Sequence, residues 1–141
     1  MAHATRFGYG LLEYGQHISR MVPYERFEAW QKCHELVLAV YTVTEAFPAE
    51  ERYGLVSQLR RAAFSAAVNI AEGSAKRGWR EFRRYLGTSI GSLSEVAYTL
   101  RVAEDLGHIT HDQWASLDDL RDHAGRLTWR LYRSLTNTAE K

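Results

Sequence analysis

Cysteine is almost absent from this chain: the single Cys33 excludes an internal disulfide and a thiolate metal site. Proline occurs only twice, at Pro23 and Pro48, which leaves long stretches free of the residue that breaks helices. No apolar run approaches the ~20 residues of a membrane span. Residues 1–20, interrupted by Arg6, Glu13, His17 and Arg20, hold no apolar block of the secretory kind. A cytoplasmic protein with a reduced thiol is the expectation. A dominant charge is missing too, since 18 basic residues meet 17 acidic ones for a formal net charge of +1. The total charge therefore selects no polyanionic partner. No Glu-x-x-His pair occurs, which argues against a di-iron bundle. Phosphate loops, dinucleotide fingerprints and Ser-His-Asp arrangements are lacking as well. Asp105-x-x-His108-x-x-His111 comes nearest to a ligand set, but Gly107 interrupts it at a helix end. No metal, no cofactor and no enzymatic activity are expected.

What is present is helical periodicity in a length suited to one domain, 141 residues with 45% apolar content. Phe27, Trp30, Cys33 or His34, Val37, and Val40 or Tyr41 recur at 3–4 spacing. Leu55, Leu59, Ala62, Ala66, Ile70 and Ala71 form a second stripe that stops at Gly73. Trp79, Phe82, Leu86, Ile90, Leu93, Ala97, Leu100 and Ala103 form a third, ending at Leu106-Gly107. The fourth runs through Trp114, Leu117, Leu120, Ala124, Leu127, Leu131 and Leu135. A capping box, Thr110-x-x-Gln113, opens it, and Gly73 and Gly107 suit the left-handed residue that closes a helix. Helices are predicted over residues 25–47, 53–73, 79–106 and 111–136. Short links between long amphipathic helices make neighbours antiparallel, so the fold class is an all-α, antiparallel, up-down-up-down four-helix bundle over residues 24–141. Residues 1–23, broken by Gly8, Gly10 and Gly15, read as a flexible or loosely docked N-terminal arm.

The second and third helices are chemically unusual. Ala62, Ala63, Ser65, Ala66 and Ala67 face a third helix carrying Gly87, Ser89, Gly91, Ser92 and Ser94. A helical glycine costs about 1 kcal/mol relative to alanine, so Gly87 and Gly91 suggest a close approach of two backbones. A hairpin folded about residue 76 puts Gly91 near Arg60, Gly87 near Ser65 and Asn69 opposite Phe82. Charge is uneven as well: residues 24–51 carry a net charge of −4 and residues 52–84 a net of +6. Arg60, Arg61, Lys76, Arg77, Arg80, Arg83 and Arg84 are the candidate nucleic-acid contacts, because guanidinium groups pair with phosphates through charge-assisted hydrogen bonds. Trp79, Phe82 and Tyr85 lie among them and can stack on unpaired bases where exposed.

Several short motifs stand in order: Trp30-Gln31-Lys32; Glu51-Arg52-Tyr53-Gly54-Leu55; Ser57-Gln58-Leu59-Arg60-Arg61-Ala62; Asn69-Ile70-Ala71-Glu72-Gly73; Glu81-Phe82-x-Arg84-Tyr85-Leu86; and Gly91-Ser92-Leu93-x-Glu95. In these the chain resembles the small bacterial four helix bundle protein family, also called the 23S rRNA intervening-sequence protein family. The resemblance implies an antiparallel four-helix bundle, a ring-like homopentamer and no enzymatic activity. It also implies a link to RNA, because many of the family's genes lie within insertions in 23S ribosomal RNA genes. A distant relative, the accessory protein of diversity-generating retroelements, binds nucleic acid and a reverse transcriptase. Ala66-Ala67-Val68 stands where many members have a proline, which predicts a straighter second helix here.

Two readings follow. In one, the arginine-rich hairpin binds structured RNA or DNA. In the other, the protein is an interaction scaffold without a nucleic-acid ligand, and acidic and basic helices of neighbouring copies face each other. Trp30, Tyr41, Tyr53, Trp129 and Tyr132 are candidate anchors for such contacts. Asn69, Glu72, Gly73 and Glu95 are assigned structural duties: Glu72 pairs with Lys76, Gly73 turns the chain, and Glu95 answers Arg60.

Overall fold

The computed structural model describes residues 23–139. The expected arm therefore lies outside the described residues, apart from Pro23, which opens a 3-10 turn, Pro23–Arg26. Among the described residues the chain is all-helical: α1, Glu28–Thr44; α2, Leu55–Ser74; α3, Trp79–Asp105; and α4, His111–Ala139. A second 3-10 turn, Ala49–Glu51, leads into α2.

Periodicity placed the helices, and packing decides which faces turn inward. α1 buries Ala29, Cys33, Leu36, Val40 and Thr44, a face one residue away from the stripe through Trp30 and Val37, which stay partly buried against the core. Leu59 and Ile70 of α2 and Leu86, Val96 and Leu100 of α3 are sealed from solvent, as are Ala124 and Thr128 of α4. The Cys33 thiol is buried beside Thr128 Oγ1 at 3.9 Å. Removal from water pushes its pKa up to about 12, so the thiolate is not available for chemistry near neutral pH.

The expected capping box forms. Thr110 N–H donates to Gln113 Oε1 at 2.9 Å, and Gln113 N–H donates to Thr110 Oγ1 at 3.1 Å. Gly107 takes the left-handed conformation at φ +76°. Gly73 does not, so its assignment as the turning residue is corrected. It lies within α2, and Gly78, at φ +94°, performs that duty. Moving the turn from residue 76 towards Gly78 shifts the α2–α3 pairing by about one helical turn. Ser92 Oγ therefore meets Ser65 Oγ at 2.8 Å, and Ser89 Oγ donates to Ala66 O at 2.8 Å.

The glycine roles change with that register. A Cβ on Gly73 would lie 2.7 Å from Tyr85 Cβ and 3.0 Å from Phe82 Cδ1. Gly73 is thus the point of closest approach, and it occupies the place opposite Phe82 expected for Asn69. Gly87 and Gly91 have nothing within 4 Å of an added Cβ, so they do not mediate the contact. The close packing comes instead from Gly73 with buried Ala62, Ala63, Ala66 and Ala67.

The α3–α4 turn carries one titratable contact. His111 Nδ1 lies 2.8 Å from Glu104 Oε1. That hydrogen bond, then the carboxylate's charge, raises the histidine's pKa, with a smaller contribution from Asp112. A raised folded-state value gives a stabilising contribution that is complete below the unfolded pKa and is lost as pH rises through the folded one. An NMR titration of His111 should give a midpoint above 6.5, and Glu104→Gln should lower it. A wild-type midpoint at or below 6.5 would contradict the contact.

Candidate nucleic-acid interface

The seven proposed cationic contacts do not form one patch. Lys76 and Arg77 sit in the α2–α3 link, and Arg80, Arg83 and Arg84 occupy the first two turns of α3. Arg80, Arg83 and Arg84 stay together because i, i+3 and i+4 positions are neighbours on a helix, and Lys76 joins Arg84 at the Tyr85 ring.

Each of four cations in this group meets an aromatic ring. The Arg80 guanidinium lies 5.2 Å from the Trp79 ring, Arg84 lies 4.9 Å from Tyr85, and Lys76 Nζ lies 5.6 Å from the same tyrosine. Arg83 reaches across to α4 and lies 4.5 Å from the Tyr132 ring. Such contacts orient the guanidinium without neutralising it. Arg84 also forms an ion pair with Glu81 at 3.0 Å, which raises its already high pKa. Lys76, Arg77, Arg80 and Arg83 form no ion pair among the described residues. The expected Glu72–Lys76 pair is absent, and Lys76 turns to Tyr85 instead. Arg83 Nε is buried without a hydrogen-bond partner.

Arg60 leaves the group. It stands sixteen residues before Lys76 on the same side of the turn, roughly 24 Å along α2. Its Nε donates to Thr44 Oγ1 at 2.9 Å, and its guanidinium covers the Tyr41 ring at 4.4 Å. It is a half-buried strut between α1 and α2. Its expected partner, Glu95, faces elsewhere: Glu95 lines a surface cleft with Arg61, Tyr53, Ser57, Phe64 and Ser65. Arg61 therefore lies on a different face, in the cleft that Glu95 shares. Asn69 is structural, since its Nδ2 donates to Ser65 O at 2.8 Å and to Ser65 Oγ at 3.1 Å. It extends the serine seam between α2 and α3.

Glu51 has a role that the motif did not disclose. Its Oε2 accepts from Leu55 N–H at 3.1 Å, which places a carboxylate at the N-terminus of α2, where helix dipole and free donors both favour it.

α4 adds cations that the sequence reading passed over. Arg126, Trp129, Arg130, Arg133 and Ser134 line a shallow depression on its outer face. Trp129 stacks on Tyr132, with ring centroids 5.4 Å apart and planes 12° apart, and Tyr132 carries Arg83. The α3 cluster thus continues onto α4. Residues 104–141 appear acidic because Asp112, Asp118, Asp119 and Asp122 precede these arginines and offset them in the segment's sum. The spacing Arg126-x-x-Trp129-Arg130-x-x-Arg133 was the available signal.

Fold and surface together define an all-α, four-helix protein whose α2–α3 turn carries cations laid on aromatic rings. The profile of the 23S rRNA-intervening sequence protein family matches residues 25–130. The chain belongs to that family, in agreement with the motifs read from the sequence. A search of curated proteins gave no match. No helix among the described residues is long and apolar enough to cross a membrane.

Proposed function

We propose that this chain is a non-catalytic, cytoplasmic bundle with antiparallel, up-down-up-down helices that assembles as a homo-oligomer, a pentamer by family resemblance. In this reading it binds structured nucleic acid, ribosomal RNA or DNA, through Lys76, Arg77, Arg80, Arg83 and Arg84. One observation carries the binding: five cations fall within residues 76–84, and among the described residues only Arg84 has an acidic partner. Cations held on rings and left without carboxylates are ready for phosphate, and each phosphate neutralised releases counterions. The family's association with 23S rRNA genes is compatible with this ligand.

Pairings support the helix directions: Ser89 with Ala66 and Gly73 with Tyr85 across α2–α3, and Arg83 with Tyr132 and Glu104 with His111 across α3–α4. Exposed aromatics support assembly. Tyr53, Tyr98 and Phe64 are 86%, 72% and 56% exposed, and aromatic side chains of this kind are enriched where subunits meet. That same observation favours the second reading, a protein-interaction scaffold with no nucleic-acid ligand.

A fluorescence-anisotropy titration of a structured ribosomal RNA hairpin with the full chain tests the proposal. Saturable, sub-micromolar binding is expected at moderate salt. Absence of binding even at low salt would leave the scaffold reading in its place.

A further inference from the structure

The cations of the α2–α3 turn can grip phosphates on either paired or unpaired strands. The outer face of α4 is more selective. Trp129 is 51% exposed, and its ring is held by stacking on Tyr132. Arg126, Arg130 and Arg133 stand three residues before it and one and four residues after it, so they border the ring on one helix face. Arg126 is paired with Asp122 at 3.1 Å, whereas Arg130 and Arg133 have no acidic partner among the described residues.

We infer that this face binds unpaired nucleotides of RNA or DNA, with a base stacked on Trp129 and the flanking phosphates on Arg130 and Arg133. The inference rests on the nucleic-acid reading and deepens it. An indole face can be covered only by a base that has an open face, and inside a duplex both faces of each base are already stacked. Side chains cannot reach the bases of an A-form major groove, so loops, bulges and ends are where proteins stack on RNA. Base–aromatic stacking tolerates any sequence. The Arg83–Tyr132–Trp129 series joins this face to the α3 cations, which positions an unpaired segment beside a paired stem.

The test compares wild type, Trp129→Ala and Trp129→Phe by anisotropy with three labelled probes: an unstructured RNA strand of about 20 nucleotides, the same strand as DNA, and an RNA duplex of equal length. Wild type should prefer the strands to the duplex. Trp129→Ala should weaken strand binding by about 5- to 100-fold, the usual effect of losing one stacked base, and leave duplex binding unchanged. Trp129→Phe should retain most of it. A preference for the RNA strand assigns the site to RNA, and equal binding assigns it to either source. Unchanged strand binding by Trp129→Ala would overturn this inference while the nucleic-acid reading stands. No binding of any probe by wild type would overturn both. Sedimentation showing that Trp129→Ala breaks up the wild-type assembly would place the face between copies, also against the inference.

Discussion

Reversing Arg77, Arg80 and Arg84 to glutamate lowers affinity for structured RNA by about a thousandfold or more and leaves the bundle folded. A charge-assisted hydrogen bond contributes about 1.5–3 kcal/mol, so three of them account for at least that factor before the new repulsion is added. The choice of residues follows from the structure. All three are exposed, while Arg83 is half-buried against Tyr132 and its replacement would disturb packing. Glutamates in the link and first turns of α3 suit the positive end of the helix dipole. The Arg84–Glu81 pair is lost, but both side chains are more than half exposed, and such pairs add little to stability. Anisotropy titrations with circular dichroism on the same samples check both halves. The salt dependence of the residual binding should fall by about three contacts, a change of roughly 2.7 in slope. Unchanged RNA affinity in a folded variant, with loss of the oligomer, would make this surface a subunit contact.

Gly73→Ala destabilises the protein by about 1 kcal/mol net of its propensity gain, whereas Gly87→Ala and Gly91→Ala stabilise it. By helix propensity alone all three should gain up to about 1 kcal/mol. At Gly73 the added methyl would sit 2.7 Å from Tyr85 Cβ. That atom is close to the backbone and cannot swing aside, so α2 and α3 must separate, at a cost of about 1–3 kcal/mol for overpacking. At Gly87 and Gly91 the added carbon meets nothing within 4 Å, so the propensity gain is kept, provided no subunit packs there. Thermal denaturation should show a fall of several degrees for Gly73→Ala and a rise for the others. A rise for Gly73→Ala would refute the close approach, and a fall for Gly87→Ala would point to an intersubunit contact at that position.

These glycines show how far the sequence could be read. The four stripes located the helices because a 3–4 spacing is a direct consequence of a buried helical face. Thr110-x-x-Gln113 was legible for a similar reason: the capping box is a local structure. The α2–α3 register was not local. Gly73 was assigned the turn, and displacing it in favour of Gly78 needed the tertiary contact that Phe82 and Tyr85 make with Gly73. A wrong centre carried Gly87, Gly91 and Asn69 to the wrong neighbours.

The candidate interface was legible as composition and hidden as geometry. Counting charges found the cations at residues 76–84, but a count cannot tell that Arg60 turns to Thr44 and Tyr41. Nor can it separate the acidic start of α4 from its basic continuation, where averaging concealed Arg126, Arg130 and Arg133. Glu51 was visible within a motif, yet its capping role depends on the intervening turn that brings its carboxylate to Leu55 N–H.

The affinity of the unaltered chain for a structured ribosomal RNA fragment, measured by anisotropy at about 50 and 200 mM salt, tests the central claim most directly. Engagement of the α2–α3 cations together with the α4 arginines predicts tight binding at the lower concentration and a loss of about a thousandfold at the higher one, as six or more phosphate contacts require. Binding that is absent at low salt, or that ignores the salt concentration, would contradict it.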